Sequence, residues 1–307
     1  MISVIIPLYN KAASIGQTLR TVLEQTFQDF EVVVVDDGST DGGADVVRAV
    51  DDARIRLFSQ PNAGVSAARN RGVSESRGEF VAFLDADDLW RPTYLETQFA
   101  LTRKYPDCDV FATNYEFRDA EGRTSPTILR RLPFAGEDGI LTNYFEVASC
   151  SHPPICSITI MVKKEAIEAI GGFPVGIRSG EDLLTWARLA VRHSIAFSKL
   201  SLAVFVYDRT LFNNDQKTRE PETDDYVGKE LAKLYQNNPS ILGLKSYNAL
   251  WHKMRARIFL DKGQLKAARK ECIKALRLRV TLRCIVFYLM TLLPLKMSQV
   301  LLHAHIS

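Results

Sequence analysis

The sequence lacks the marks of several common protein classes. Its five cysteines (Cys108, Cys150, Cys156, Cys272 and Cys284) include no C-x-x-C pair. That odd number fits a reducing compartment better than a disulfide framework. Cys150, His152 and Cys156 suit no zinc-ligand spacing and are expected to be packing residues. There is no run of about twenty apolar residues, so no segment is expected to span a bilayer as a helix. The opening residues, MISVIIPLYN, carry no basic leader, and their apolar run is short. They read as a strand rather than a signal peptide. No G-x-G-x-x-G follows that strand, which sets aside a dinucleotide-binding dehydrogenase. PLYNKAAS offers Lys11 but no glycine-rich phosphate loop, which argues against a nucleotidyltransferase.

Acids are also scarce in one place. Between Trp251 and Gln299 there are twelve Lys and Arg residues against Asp261 and Glu271, a local charge of +10. The whole chain of 307 residues carries only +3, which leaves −7 on the rest. An acidic body and a basic tail imply two jobs in two regions.

What is present begins as an alternation. SVIIPL, FEVVVVDD, RIRLF and FVAFLD are continuous apolar runs. Helix-like segments lie between them at Ser14 to Gln25, Asp45 to Ala49 and Val65 to Arg77. Strands buried on both faces and spaced by helices predict an α/β domain with a mostly parallel sheet. A helix over Pro92 to Lys104 and a strand in DVFATNYEF follow. Arg118 to Gly139 reads as a hairpin or loop, SITIMV as a strand and KKEAIEAIGGF as a short helix ended by glycines. GEDLLTWARLAVRH reads as a helix and SLAVFVYD as a strand. From Tyr226 the chain reads as helices, among them one tetratricopeptide-like hairpin, too few copies for a solenoid.

Ligands of parallel sheets bind beyond the carboxyl ends of the strands. Asn10, Asp36, Asp37, Asp85 and Asp87 all fall at such ends. In FLDADD, Asp85 and Asp87 can converge as the chain turns. Carboxylate oxygens suit Mg²⁺ or Mn²⁺ shared with a substrate's phosphates, although capping of the next helix explains the same acids. Asp88 and Trp90 are assigned to capping and packing. Asp37 is favoured for a base or ribose contact and Asp36 for the turn. The small residues of NAGVSAARNRG let a helix sit close to the sheet, and Arg69 within it offers paired donors to a diphosphate. Glu181 and Asp182 open a helix, where acids often merely cap, yet an acid beside a bound sugar can act as a base.

SVIIPLYN, VVVVDDGSTD, NAGVSAARNRG, FLDADD and GEDLLTWARLA occur in the order and spacing seen in the family 2 inverting glycosyltransferases of the GT-A fold. The chain resembles that family, of bacterial surface-polysaccharide type, from Ile2 to Asp208. The resemblance implies that Pro7 and Tyr9 border the nucleotide base and that Asp37 hydrogen-bonds it. It sets Arg69 by the diphosphate, Asp85 by ribose and metal, and Asp87 on the metal. Asp182 would be the base, with Glu181 the runner-up. Glu116 to Cys156, on the acceptor side, matches no motif.

The expected organisation is a GT-A catalytic domain over residues 1–215 and a basic helical region over 216–307. The expected partners are a nucleotide-sugar donor, a UDP-sugar above all, and a glycan or lipid-linked glycan acceptor, with Mn²⁺ or Mg²⁺ as cofactor and no nucleic acid. The alternative is a non-catalytic nucleotide-binding scaffold that uses its helical tail. In that tail Lys266, Arg269, Lys270, Lys274 and Arg277 share one helix face, and CIVFYLMTLLPL follows. Two readings stand: a helix packed on the catalytic domain, or one lying in the membrane surface. The second gives a cytoplasmic protein at the inner face of the membrane.

Overall fold

The computed structural model describes residues 1–207, 221, 222 and 224–304. The chain divides into two compact units, one of residues 1–142 and 151–209, the other of residues 143–150 and 210–307. The expected boundary at 215/216 lies outside the described residues, as does Asp208.

The first unit is built on a ten-stranded sheet. Its strands are β1 (Ile2–Leu8), β2 (Phe30–Asp36), β3 (Ile55–Ser59), β4 (Phe80–Phe83), β5 (Leu89–Trp90), β6 (Val110–Arg118), β7 (Thr124–Pro126), β8 (Asp138–Ile140), β9 (Ile160–Lys163) and β10 (Ile195–Val206). The spatial order is β3-β2-β1-β4-β9-β6-β10-β5, with β7 paired to β6 and β8 to β10. β3, β2, β1 and β4 run parallel. β9 is antiparallel to both its neighbours, β4 and β6. β10 returns to parallel pairing with β6.

β1 and β2 are buried along their whole length, as their unbroken apolar runs require. Alternation then divides the side chains between the two faces. Ile2, Val4, Ile6, Leu8, Val32 and Val34 join one core with Ile15, Leu19 and Val22 of α1 (Ala12–Leu23) and Leu95 of α4 (Tyr94–Lys104). Val47 of the short α2 (Gly43–Arg48) joins the same core. Val33 and Val35 meet Ala68 of α3 (Val65–Glu75) on the other face. Gly72 of α3 lies so close to β1 that a Cβ there would come within 2.3 Å of Ile5 Cγ2. The small residues read from the sequence are needed for that approach.

The second unit contains α5 (Tyr144–Cys150), α8 (Tyr226–Asn237), α9 (Leu244–Asp261), α10 (Leu265–Leu278), α11 (Leu282–Met290) and α12 (Leu295–Ala304). The first unit holds α6 (Lys164–Ala169) and α7 (Glu181–Arg192). Phe259 and Leu260 of α9, Ala268 and Cys272 of α10, and Phe287 and Met290 of α11 form a separate core. On α10, Lys266, Lys270, Lys274 and Arg277 are exposed as the spacing predicts, while Arg269 donates to the Thr291 carbonyl at 2.5 Å. No helix among the described residues is long and apolar enough to cross a membrane.

A buried ion cluster ties α8, α9 and α10 together. His252 Nδ1 lies 2.7 Å from Glu271 Oε2, and Lys274 Nζ lies 2.9 Å from Glu271 Oε1. Arg255 Nε stands 3.6 Å from Asp225 and 3.5 Å from Glu271. Burial alone would raise the Glu271 carboxyl, but the His252 and Lys274 donors hold it below the ordinary glutamate range. A depressed carboxyl stabilises the fold above its unfolded value, and that contribution is lost as pH falls through the folded value. Glu271→Gln is therefore expected to be less stable than the parent at neutral pH, with a gap that narrows below the ordinary value of 4.5. Urea denaturation across pH checks this, and a gap independent of pH contradicts it.

Candidate active site

The site lies beyond the carboxyl ends of β1, β2 and β4. Leu84 N–H donates to Ile5 O at 3.0 Å and closes the last rung of β4. The chain then turns. Ser14 and Thr18 hydroxyls from α1 donate to the Ala86 carbonyl at 2.9 and 3.0 Å, and Asp88 N–H donates to Asp85 O at 3.0 Å. Ala86 is thereby drawn inward while Asp85 and Asp87 stay partly exposed. Asp88 is buried, and its carboxylate accepts from Val206 N–H at 2.7 Å. Trp90 stacks on Tyr94 at 4.0 Å and donates to Ile158 O. Trp90 packs as expected, whereas Asp88 bonds Val206 rather than capping α4, whose N-cap position is Thr93.

Two cations face the strand-end acids. Lys11 Nζ stands 2.6 Å from Asp87 Oδ2. Arg69, only 3% exposed on α3, donates through Nη2 to Asp85 Oδ1 at 2.8 Å. Its Nη1 lies 3.7 Å from Glu181 Oε1 at the start of α7, and its guanidinium sits 5.2 Å above the Phe173 ring. Burial works against the Arg69 charge, but Asp85, Glu181 and Asp182 more than offset it and hold the group above its usual value. Its Nε and Nη1 are buried and make no hydrogen bond. Asp182 accepts from Leu183 N–H at 2.7 Å and makes no ion pair among the described residues.

The loop before α7 is fastened to α3 by the residue after Arg69. Asn70 accepts from Phe173 N–H and donates to Phe173 O, each at 2.8 Å. Gly172 has φ +67°, and a Cβ there would meet Asn70 Oδ1 at 2.5 Å, so the turn excludes a side chain. Lys11, Asn70 and Phe173 were not among the residues singled out for the site. The signal for Asn70 was its place beside Arg69 in AARN; nothing local marks its partner.

Asp37 is buried at the end of β2. Its carboxylate accepts from Gln60 Nε2 at 2.7 Å, Ala63 N at 3.0 Å and Gly64 N at 2.8 Å. It fixes the loop that leads into α3. Asp36 accepts from Ser39 N–H at 3.0 Å, the turn contact expected of it. Pro7 is buried within β1 opposite Val35, and Tyr9 is half-exposed just past the strand end. The structure thus gathers Arg69, Asp85, Glu181 and Asp182 into one electrostatic group and sets Asp87 beside Lys11. Asp37 anchors the adjoining loop.

Asp85 and Asp87 are hard oxygen donors one residue apart, and the acidic turn already draws an ammonium against Asp87. That donor set fits Mg²⁺ or Mn²⁺. The neighbouring cations, Lys11 and Arg69, suit the anionic diphosphate that such a metal would share.

Comparison with solved structures identifies the arrangement as the GT-A fold. Staphylococcus aureus TarS 1–349 in complex with UDP-GlcNAc superposes with a TM-score of 0.59 at 20% identity, covering 94% of this chain and 90% of TarS. The mannosyltransferase PcManGT of Pyrobaculum calidifontis, in complex with GDP-Man and Mn²⁺, gives 0.60 at 21% identity over 98% of this chain and 84% of that one. The sequence model of Glycosyl transferase family 2 matches residues 3–170, more than half of the chain, and the chain belongs to that family. TuaG of Bacillus subtilis, a glycosyltransferase named for teichuronic acid biosynthesis, is 29% identical over 243 residues, 76% of this chain and 90% of TuaG. The chain spans only 30–31% of the length of the first curated relatives it matches.

Asn at position 37 would present an amide N–H₂ to donors that now meet carboxylate oxygens. Asp37→Asn is expected to lower stability by about 1–3 kcal/mol, the cost of a buried donor left unpaired. Urea denaturation of the full chain measures it, and an unchanged midpoint contradicts the anchoring role.

Proposed function

We propose that this chain transfers a sugar, with inversion, from a nucleoside diphosphate donor to a hydroxyl of a glycan or lipid-linked glycan. A UDP-sugar is the favoured donor. The observation that carries the reading is the Arg69–Asp85–Glu181 cluster at the strand ends of a family 2 chain, with Asp87 and Lys11 beside it. TarS in complex with UDP-GlcNAc and PcManGT in complex with GDP-Man and Mn²⁺ support a nucleotide-sugar site of this fold. The similarity to TuaG, named for teichuronic acid biosynthesis, supports a surface-polysaccharide acceptor. This reading assigns the chemistry to the sheet-bearing unit and the enzyme to the cytoplasmic side of the membrane.

Pro7 and Tyr9 border the base at the end of β1, and Asp37 sets the loop beside it. Asp85 and Asp87 would hold Mn²⁺ or Mg²⁺, which supplies Lewis-acid neutralisation of the leaving diphosphate. Arg69, itself buried, keeps a fixed positive charge at that point. Asp182 takes the proton of the acceptor hydroxyl. The hydroxyl oxygen bonds to the anomeric carbon as its bond to the diphosphate oxygen breaks on the opposite face, which inverts the centre. Asp182 is preferred to Glu181 because Glu181 already faces Arg69, and a carboxylate paired with a guanidinium is the poorer base.

Asp182→Asn is expected to leave donor affinity near normal and to lower turnover by roughly 10²–10⁴-fold, the range for loss of a general base. UDP release with a surface-glycan acceptor measures it. Retained activity in Asp182→Asn with loss in Glu181→Gln moves the role to Glu181. Asp87→Ala is expected to abolish both transfer and Mn²⁺-dependent UDP binding while the fold survives. Calorimetry checks the second, and unchanged Mn²⁺-dependent affinity removes Asp87 from the site.

A further inference from the structure

α11 is apolar on two sides. Cys284, Phe287 and Met290 are buried, the last two in the core with α9 and α10. Leu282, Ile285 and Leu289 repeat at three- and four-residue spacing on another face and point outward, with Leu282 77% and Leu289 53% exposed. A helix of a water-soluble surface keeps one apolar stripe, not two. The second stripe continues past the helix end. Leu292 is 53% exposed in the turn, and Leu295 and Leu301 of α12 are exposed beyond it. This is not a frayed end: Arg269 Nη2 donates to Thr291 O at 2.5 Å, and Thr291 Oγ1 donates to Tyr288 O at 2.6 Å. The turn is pinned with its leucines facing out. Contiguous exposed apolar surface of this kind marks an interaction site.

The charge beside it is of one sign. Arg279 and Arg283 flank Leu282 and are exposed. They act on Lys253 of α9, whose ammonium is pushed below the usual lysine range by burial and by these two guanidiniums. Among the described residues no carboxylate forms an ion pair with Lys253, Arg279 or Arg283. By contrast Arg255 and Lys274 face Asp225 and Glu271, and Arg257 pairs with Asp261. Arg279 and Arg283 thus stand beside the exposed leucines with no acid among the described residues to neutralise them.

We propose that the outward face of α11 and α12, flanked by Lys253, Arg279 and Arg283, docks on an anionic phospholipid bilayer. α11 has nine residues, about 14 Å of helix against a hydrocarbon core of about 30 Å, so it lies in the interface and does not cross it. Its leucines enter the boundary between headgroups and acyl chains, and the cations meet headgroup phosphates. A protein partner or a second copy of this chain would cover the leucines equally well. It would leave three cations without counter-charge unless it brought acids, whereas an anionic bilayer supplies both chemistries at once. The inference is independent of the proposed transfer reaction.

The test is co-sedimentation of the full chain with phosphatidylcholine vesicles, with and without phosphatidylglycerol, at low and high salt. Association is expected only with the anionic vesicles and is expected to weaken as salt screens the cations. Each guanidinium near the surface is worth about 5-fold in partitioning, so Arg279→Gln/Arg283→Gln is expected to lower it about 30-fold. Leu289→Glu/Leu292→Glu is expected to abolish it, with circular dichroism and thermal denaturation confirming the fold. All four positions named here outside the core are exposed, so the arginine pair keeps the test decisive even where the leucine pair unfolds. A full chain that stays in the supernatant with anionic vesicles at low salt overturns the proposal. So does a stable dimer by sedimentation velocity that the leucine pair disrupts.

Discussion

A guanidinium buried on a helix that packs against a sheet has almost no water to share its charge. It must be met by carboxylates, and it fixes where they stand. Arg69 imposes that constraint on this protein. Asp85 comes to it from the end of β4 and Glu181 from the first turn of α7, two segments almost a hundred positions apart in sequence. The acids that crowd the strand ends are tolerable because Arg69 and Lys11 stand among them. In turn the position of Arg69 depends on α3 lying close to β1, which Gly72 permits.

The same helix carries the fastening that aims α7. Asn70 closes two hydrogen bonds on the backbone of Phe173, and Phe173 places its ring under the Arg69 guanidinium. Phe83 of β4 and Trp186 of α7 both pack edge-on against Phe173. The first turn of α7, with Glu181 and Asp182, is therefore positioned by α3 and β4. In the proposed transfer this is what holds the base in fixed relation to the donor.

Much of this was legible in the residues and some was not. β1, β2 and β4 showed as continuous apolar runs because both their faces are buried. Asp37, Asp85 and Asp87 followed because parallel sheets gather strand ends on one rim. Partners far apart in sequence were not legible. Lys11 and Asp87 are 76 positions apart, and Asn70 and Phe173 are 103 apart. The antiparallel insertion of β9 between β4 and β6 is likewise a non-local pairing that no local pattern encodes. The reading of β10 began only at Ser201, whereas the strand starts at Ile195; register shifts between Ser198 and Ala203 break the alternation there. In Arg118 to Gly139, read as a hairpin or loop, β7 and β8 are three residues each and too short for a periodic signal. The basic face of α10 was read from spacing. The exposed leucines of α11 were not, because an apolar run does not reveal which of its faces the fold leaves uncovered.

The central claim is that the acidic turn after β4, already set against two cations, takes a divalent ion together with a nucleoside diphosphate. Paramagnetic resonance of Mn²⁺ added to the full chain tests it most directly, since free and bound Mn²⁺ give different spectra. The account predicts that the free-ion signal is lost when UDP and protein are both present and returns when Asp85 and Asp87 are replaced by alanine together. A free-ion signal no smaller with UDP and protein than with UDP alone would contradict it.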